Sequence, residues 1–265
     1  MAPLGMTPPL LNRTRLVDRY RRAITIFFLL SVSALAHAQG GPPLVTDDPD
    51  TPGDRHWEIN LATLIEHERS GGGRSTELDA DINYGWGERI QLKVDVPLSR
   101  VSEAPVATTT GMGSTVFGVK WRFFDGGDYG LKVSTYPQFS TAWTASAVQR
   151  GLADSLHSYF LPIEVAKTVG LTTWVGEVGR SFVSDGSHEW MAGLVAARAV
   201  REGTTALMEV HQTRSVHGDL CLLNIGLRQE LGHRLSVLTS VGHEFGPVAA
   251  DPRGLLLYAG IQIRR

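Results

Sequence analysis

The chain has 265 residues, 42 % of them hydrophobic, with 25 Lys and Arg against 27 Asp and Glu and a single cysteine. A formal charge of −2 supplies no basic footprint for nucleic acid, and one thiol, Cys221, excludes an internal disulfide framework or a cysteine zinc cluster. With 29 glycines and no long amphipathic helical pattern, the composition points to an all-β chain, either a soluble sandwich or a membrane barrel.

The first element in chain order is a leader. Arg13, Arg15, Arg19, Arg21 and Arg22 precede the apolar run from Ala23 to Ala36, and Ala36-His37-Ala38 supplies a small-x-small cleavage site. The run is shorter than the roughly 20 residues a spanning helix needs. Residues 1–38 are therefore expected to be a cleavable signal peptide, followed by 39–55 as a periplasmic Pro/Asp-rich lead-in or plug and 56–265 as the main domain. Without the leader's five Arg and one Asp, 20 basic and 26 acidic residues remain, a formal charge of −6. Gln39, not cysteine, follows the cleavage site, so no lipoprotein anchor is expected.

The segment from Gly40 to Asn60 is dense in Pro, Gly and Asp, which favours turned or extended backbone. Asp47, Asp48, Asp50 and Asp54 do not fit the spacing of a helix-loop-helix calcium site and are read as turn-forming. Thr46-Asp47-Asp48-Pro49, followed by His56-Trp57-Glu58 at the start of a strand pattern, resembles a family of outer-membrane β-barrels named for the MetA pathway of phenol degradation. The resemblance covers Gly41 to Asn60. It implies an outer-membrane location and a transport role, hints at aromatic or other hydrophobic cargo, and brings no catalytic residues. One departure from barrels in general is the C-terminus, Ile261-Gln-Ile-Arg-Arg265, which lacks the common terminal aromatic residue.

From there the chain alternates apolar and polar positions with period two, best seen where Ile90, Leu92, Val94, Val96 and Leu98 share one face and Gln91, Lys93 and Asp95 the other. Alternation and turn signals predict strands near 56–67, 76–85, 89–98, 113–123, 129–140, 157–167, 171–182, 188–199, 204–213, 218–229, 234–244 and 254–264. The run Met191 to Ala199 is too uniformly apolar to phase. Connections after even-numbered strands are tight, such as Trp86-Gly87-Glu88 and Arg201-Glu202-Gly203, whereas most after odd-numbered strands are longer. This short-long order matches bacterial outer-membrane barrels, with both termini in the periplasm. Aromatic residues sort accordingly: Trp57, Tyr84, Trp86, Trp121, Phe123, Phe124 and Tyr129 to the periplasmic edge, and Tyr136, Phe139, Tyr159, Phe160, Phe182, Trp190 and Phe245 to the outer edge, with Phe117, Trp174 and Tyr258 nearer the middle. The expected fold is a 12-stranded antiparallel transmembrane β-barrel, with 10 or 14 strands as the alternatives.

Alternation places Glu58, Asn60, Asp79, Asp81, Asn83, Gln91, Lys93, Asp95, Lys120, Arg122, Lys132, Glu164, Glu209, His211 and Arg228 on the lumen face. Acids cluster on the first three strands and bases on the next two, a pattern that suits either a selective path or an ion-paired, closed interior. The favoured reading is an outer-membrane channel for passive passage of a small, hydrophobic or aromatic solute, with a structural or surface-interaction barrel as the alternative. A lipid hydrolase is a distant third, since no Gly-x-Ser-x-Gly elbow is present. Expected partners are outer-membrane lipid and lipopolysaccharide, the barrel-assembly machinery and the solute, with no nucleic acid, no cofactor and no enzyme activity. His67, His157, His188, His217 and His243 fall at the outer strand ends, where strand termini simply tolerate polar residues, and no metal site is assigned.

Overall fold

The computed structural model describes residues 41–68, 74–102, 108–216, 218–247 and 253–265. The expected signal peptide and His217 lie outside them. Fourteen hydrogen-bonded strands form one sheet: β1 (Trp57–Glu68), β2 (Arg74–Trp86), β3 (Ile90–Ser102), β4 (Thr109–Met112), β5 (Ser114–Asp125), β6 (Leu131–Thr135), β7 (Gln138–Ala142), β8 (Ser158–Val169), β9 (Thr172–Val183), β10 (His188–Arg201), β11 (Thr204–Ser215), β12 (Gly218–Glu230), β13 (Leu235–Phe245) and β14 (Arg253–Arg264). All pairings are antiparallel, and β1 pairs with both β2 and β14, Asn60 lying opposite Asp81 on one side and Gln262 on the other. With β3 paired to β5 and β8 to both β6 and β7, the sheet closes on itself, and among the described residues only the short β4 is paired on one side alone.

The fourteen strands make twelve staves. β4 and β5 form one stave interrupted at Gly113, where an extra residue bulges out: Leu98 pairs with Met112 but Asp95 with Val116, so three steps on β3 face four on its partner. β6 and β7 form another, interrupted at Tyr136-Pro137, because proline has no N–H for the ladder. Each of the twelve strands expected from alternation overlaps one stave. Tight turns after β2, β5, β8, β10 and β12 gather at one end with both ends of the chain's barrel domain, Trp57 and Arg265 exchanging backbone hydrogen bonds of 2.7 and 2.9 Å.

Burial runs opposite to that of a soluble protein. Leu61, Leu78, Val119, Leu161, Ile163, Val178, Leu194, Val210, Ile225 and Val241 are exposed on the outside, whereas Asn60, Asp81, Lys120, Glu164, Glu209, Asn224, Arg228 and Gln262 are at most 3 % exposed inside. An apolar exterior around a polar interior suits hydrocarbon outside, where every backbone group is satisfied within the closed ladder. Exposed and half-buried aromatics pair at both ends: Trp57 packs on Tyr84 at 4.7 Å and Trp121 on Phe123 at 5.6 Å at the short-turn end, and Phe139 packs on Tyr159 at 4.8 Å at the other. Tyr136 and Phe160 depart from the expected outer girdle. Alternation from Lys132 and Ser134 carries Tyr136 inward, where it is fully buried, and alternation back from Glu164 turns Phe160 to the interior.

A charge on the outer face is the sharpest check of this polarity. Ile163→Arg, at the centre of β8, is expected to lower folding stability in lipid vesicles by about 2–4 kcal/mol, read from urea titrations of the refolded barrel, whereas Ile163→Leu leaves the midpoint nearly unchanged.

Candidate functional site

The barrel interior is crossed by a strap, residues 41–50, which runs inside the ring before the chain leaves at the short-turn end to begin β1. Its prolines remove the N–H donors a thirteenth strand would need, and the Gly41 N–H to Thr46 carbonyl bond (2.8 Å) with the Leu44 N–H to Gly41 carbonyl bond (2.9 Å) folds it back on itself. Side chains of the wall then satisfy its backbone. Glu209 on β11 accepts from the N–H of Thr46 at 2.6 Å and of Val45 at 3.1 Å, and is itself held by Asn224 at 3.2 Å. Glu177 on β9 accepts from Asp47 N–H at 3.0 Å, Arg228 donates to the Pro42 carbonyl at 3.0 Å, and Ser240 to the Pro43 carbonyl at 2.7 Å.

The opposite wall engages the strap's carboxylates. The Lys120 ammonium, 1 % exposed, donates to Asp47 at 3.0 Å and to the Asp48 carbonyl, lies 3.6 Å from Glu164, and sits over the Tyr136 ring at 4.6 Å. Asp50 accepts from Arg122 at 3.1 Å and Lys132 at 2.5 Å. Leu44 completes an apolar cluster with Ala166, Val175, Val195, Ala197 and Leu207, all turned inward from β8 to β11. This explains why Met191 to Ala199 shows no clear alternation: its outer face meets apolar surroundings and its inner face meets the strap. Gly193 permits the close approach, since a Cβ there would stand 1.9 Å from Thr46 Oγ1.

The strap leaves over the β2–β3 turn. Thr51 donates to the Glu88 carbonyl at 2.9 Å, Arg55 N–H to the Gly85 carbonyl at 2.9 Å, and Gly87 N–H to Asp54 Oδ1 at 2.9 Å. The Arg55 side-chain hydrogen bond, with the Gly87 N–H second, holds the Asp54 carboxyl below its ordinary value.

All fifteen residues named from alternation turn to the interior, but they divide into three groups. Lys120, Arg122, Lys132, Glu209 and Arg228 bind the strap, and Glu164 backs Lys120. Asn60, Asp81, Asn83, Gln91, Lys93 and Asp95 form a network along β1–β3: Asp81 accepts from Asn60 at 3.2 Å and Asn83 at 3.0 Å, Gln91 donates to Asn83 at 2.7 Å and the Tyr136 hydroxyl at 3.1 Å, and Lys93 lies 3.3 Å from Asp81 and 3.6 Å from Asp95. Glu58 pairs with Arg264 at 3.1 Å near the short-turn mouth, while Asp79 and His211 border a cavity. Sequence reasoning missed Glu177, Tyr136, Ser240 and Tyr258. Glu177 alternates in phase with Thr173 and Ser181, but the register of this strand is ambiguous from sequence alone, with Gly176 and Gly179 breaking the alternation.

The strap separates two interior spaces. Toward the long-loop end lies a cavity of about 310 Å³ bordered by Asp79, Asp95, Phe160, Met191, His211 and Tyr258. Toward the short-turn end lies a vestibule of about 470 Å³ bordered by Asp50, Glu58, Arg122, Lys132 and Arg264. Between them, against Asp47 and Lys120, only about 30 Å³ is open. The longest connection, 143–157, folds back over the rim: the Trp143 indole donates to Thr115, a short helix (Ala145–Gln149) is capped by Thr144, Arg150 donates to the Thr110 carbonyl at 3.1 Å, and Leu152 is buried beside Gly111. Among the described residues no group of His, Cys, Asp and Glu is placed to hold a metal ion.

By sequence the chain matches no family model and no curated protein. By structure it is similar to an outer membrane channel from Pseudomonas putida F1, at a TM-score of 0.65 and 10 % identity over 84 % of this chain and 99 % of that one. It is also similar to the NanC porin (TM-score 0.56, 5 % identity, 77 % and 98 % covered) and to the KdgM porin in complex with disordered oligogalacturonate (0.52, 10 %, 78 % and 98 %). At such identities the likeness establishes the fold, an outer-membrane-type β-barrel.

Strap docking through Glu209 predicts a local readout. Hydrogen bonds to charged groups contribute about 1.5–3 kcal/mol, so Glu209→Gln should lower hydrogen-exchange protection of the Val45 and Thr46 amides by at least tenfold, with protection of β1 and β14 unchanged. Gly193→Val should do the same by displacing Thr46.

Proposed function

We propose that this chain is an outer-membrane channel for passive passage of a small solute, with the strap as its constriction. The observation that supports this most directly is the division of the lumen. Two interior spaces of about 310 and 470 Å³ lie toward opposite ends and are separated by a single ten-residue strap, held by ion pairs and hydrogen bonds to the wall and by one apolar cluster at Leu44. A twelve-stranded ring falls between side-chain-filled barrels of about 8 strands and open pores of 16–18, so a single chain segment suffices to narrow it. Export by the N-terminal leader, contact with outer-membrane lipid and lipopolysaccharide, and assembly by the barrel machinery belong to the same reading, with 39–55 as the plug and the short-turn end facing the periplasm. The proteins of similar fold are described as a channel and porins. Membership of the MetA-named family, and with it an aromatic or hydrophobic cargo, is carried by the stretch Gly41 to Asn60, with its Thr46-Asp47-Asp48-Pro49 and His56-Trp57-Glu58 strings. The reading assigns no catalytic step.

Planar-bilayer recording tests it. The protein from residue 39 onward should give small, discrete conductance steps, and deletion of 41–50 should enlarge them several-fold. Electrical silence in both forms, with folded protein shown by heat-modifiable mobility, would favour the structural alternative in which the ion-paired strap is a permanent filling.

A further inference from the structure

The 310 Å³ cavity above the strap carries more acid than its neighbours neutralise. Asp47, Asp79, Asp81, Asp95 and Glu177 border it, with Lys93 as the lysine among them. Asp47 is committed to Lys120, Asp81 to Lys93 and two amides, and Glu177 to the strap backbone. Asp79 enters no ion pair among the described residues and lies within hydrogen-bond reach of Asp95, which stands 3.6 Å from the Lys93 it shares with Asp81, and both Asp79 and Asp95 keep a buried Oδ1 with no hydrogen-bond partner. The register makes these two neighbours on the inward face, since Asp81 stands opposite Asp95 and Asp79 opposite Pro97. Buried carboxylate oxygens left unpaired are costly, and two side by side more so.

A second, independent observation comes from β14. Tyr258 is 8 % exposed, borders the same cavity, and its hydroxyl has no partner. Its ring lies over Gly260, 3.0 Å from where a Cβ would stand, and packs on Ala62, the residue registered opposite Asp79. A buried phenol that finds no protein partner is a group awaiting one. Phe160, Met191, Leu256 and Leu44 of the strap give the border an apolar part, and Gln138, His211 and Ser240 are its further polar members.

We infer that this cavity binds a small organic ammonium ion, its N–H donors shared by Asp79, Asp95 and the Tyr258 hydroxyl and its apolar body set against Phe160, Leu256 and Leu44. A bare metal ion does not fit, because no coordinating group of three or more ligands is assembled among the described residues. The volume lies at the lower end of ordinary small-molecule sites, which limits the body to about one ring. The inference rests on the channel reading only in that a solute must reach the cavity from the long-loop end.

The test is isothermal titration of the folded, full mature barrel in detergent with phenethylammonium, using 2-phenylethanol and phenylacetate as neutral and anionic matches that partition into micelles through the same ring. The ammonium should bind saturably at one site, at least tenfold more tightly than either match. Asp79→Asn should weaken it at least tenfold and Tyr258→Phe several-fold. Equal binding of all three compounds, undiminished binding to Asp79→Asn, or displacement of the amine by an equal concentration of calcium would overturn the inference. If Asp79→Asn does not give the heat-modifiable folded band, Tyr258→Phe decides, and unchanged affinity there is likewise fatal. Bilayer recording separates the two ideas: conduction without ammonium binding removes this inference and leaves the channel, whereas ammonium binding to an electrically silent barrel does the reverse.

Discussion

The pairing of β1 with β14 is the constraint on which the rest of the molecule depends. In hydrocarbon an unpaired ladder edge has no water to turn to, so twelve staves can face lipid only as a ring. Closure then fixes two environments for every strand and converts a period-two sequence into a polar inside and an apolar outside. It also fixes a width. The ring is too wide for its own side chains to fill, and the unfilled middle is where residues 41–50 lie.

The strap and the wall are matched by chemistry, side by side. Leu44 meets the inward apolar residues of β8 to β11, while Asp47 and Asp50 meet Lys120, Arg122 and Lys132 on β5 and β6. Backbone N–H groups on its remaining side fall to Glu209 and Glu177. The acidic sector of β1 to β3 takes little part in holding it, and that is the wall left facing the upper cavity. The bases on the fourth and fifth staves and the acids on the first three therefore act separately: the former hold the strap, and the latter pair among themselves or remain open.

Legibility in the sequence followed range. Each stave was readable because alternation is a property of neighbours, and the inward direction of Asn60, Lys120 or Glu209 followed from it. Two breaks interrupt the pattern: the missing N–H at Pro137 falls inside the strand expected over 129–140, whereas the bulge at Gly113 falls at the start of the one expected over 113–123, so that Thr109–Met112 before it reads from sequence as connection. What alternation could not carry was any contact made across the ring. Thr46 and Glu209 are 163 positions apart, and Gly193 looks like an ordinary strand glycine until Thr46 is placed against it. Met191 to Ala199 resisted phasing for the same reason, its partner being a segment with no strand pattern of its own. The Asp-rich stretch reads as turn-forming, with a plug as one alternative, because nothing local says which side of the first strand it folds toward.

The way the strap is held also determines what an open lumen must be. Withdrawing residues 41–50 leaves Glu209 with Asn224, Lys120 with Glu164 and the face of Tyr136, and Glu177 with no donor in their place. Such ions are tolerable only if something polar replaces what was lost, and in a ring open at both ends that is water. Removal of the strap and flooding of the central lumen would therefore be one event, not two. The ions that anchor the constriction become, once it is gone, the hydrated lining of the path, with Glu177 and Glu209 on one wall and Lys120 on the other. The apolar patch at Val175, Val195 and Leu207 opposes this, since it loses Leu44 and gains water contact, and the hydrophobic cost of wetting it favours return of the strap. A wall that is ionic on one side and apolar on the other thus holds the strap through both kinds of contact.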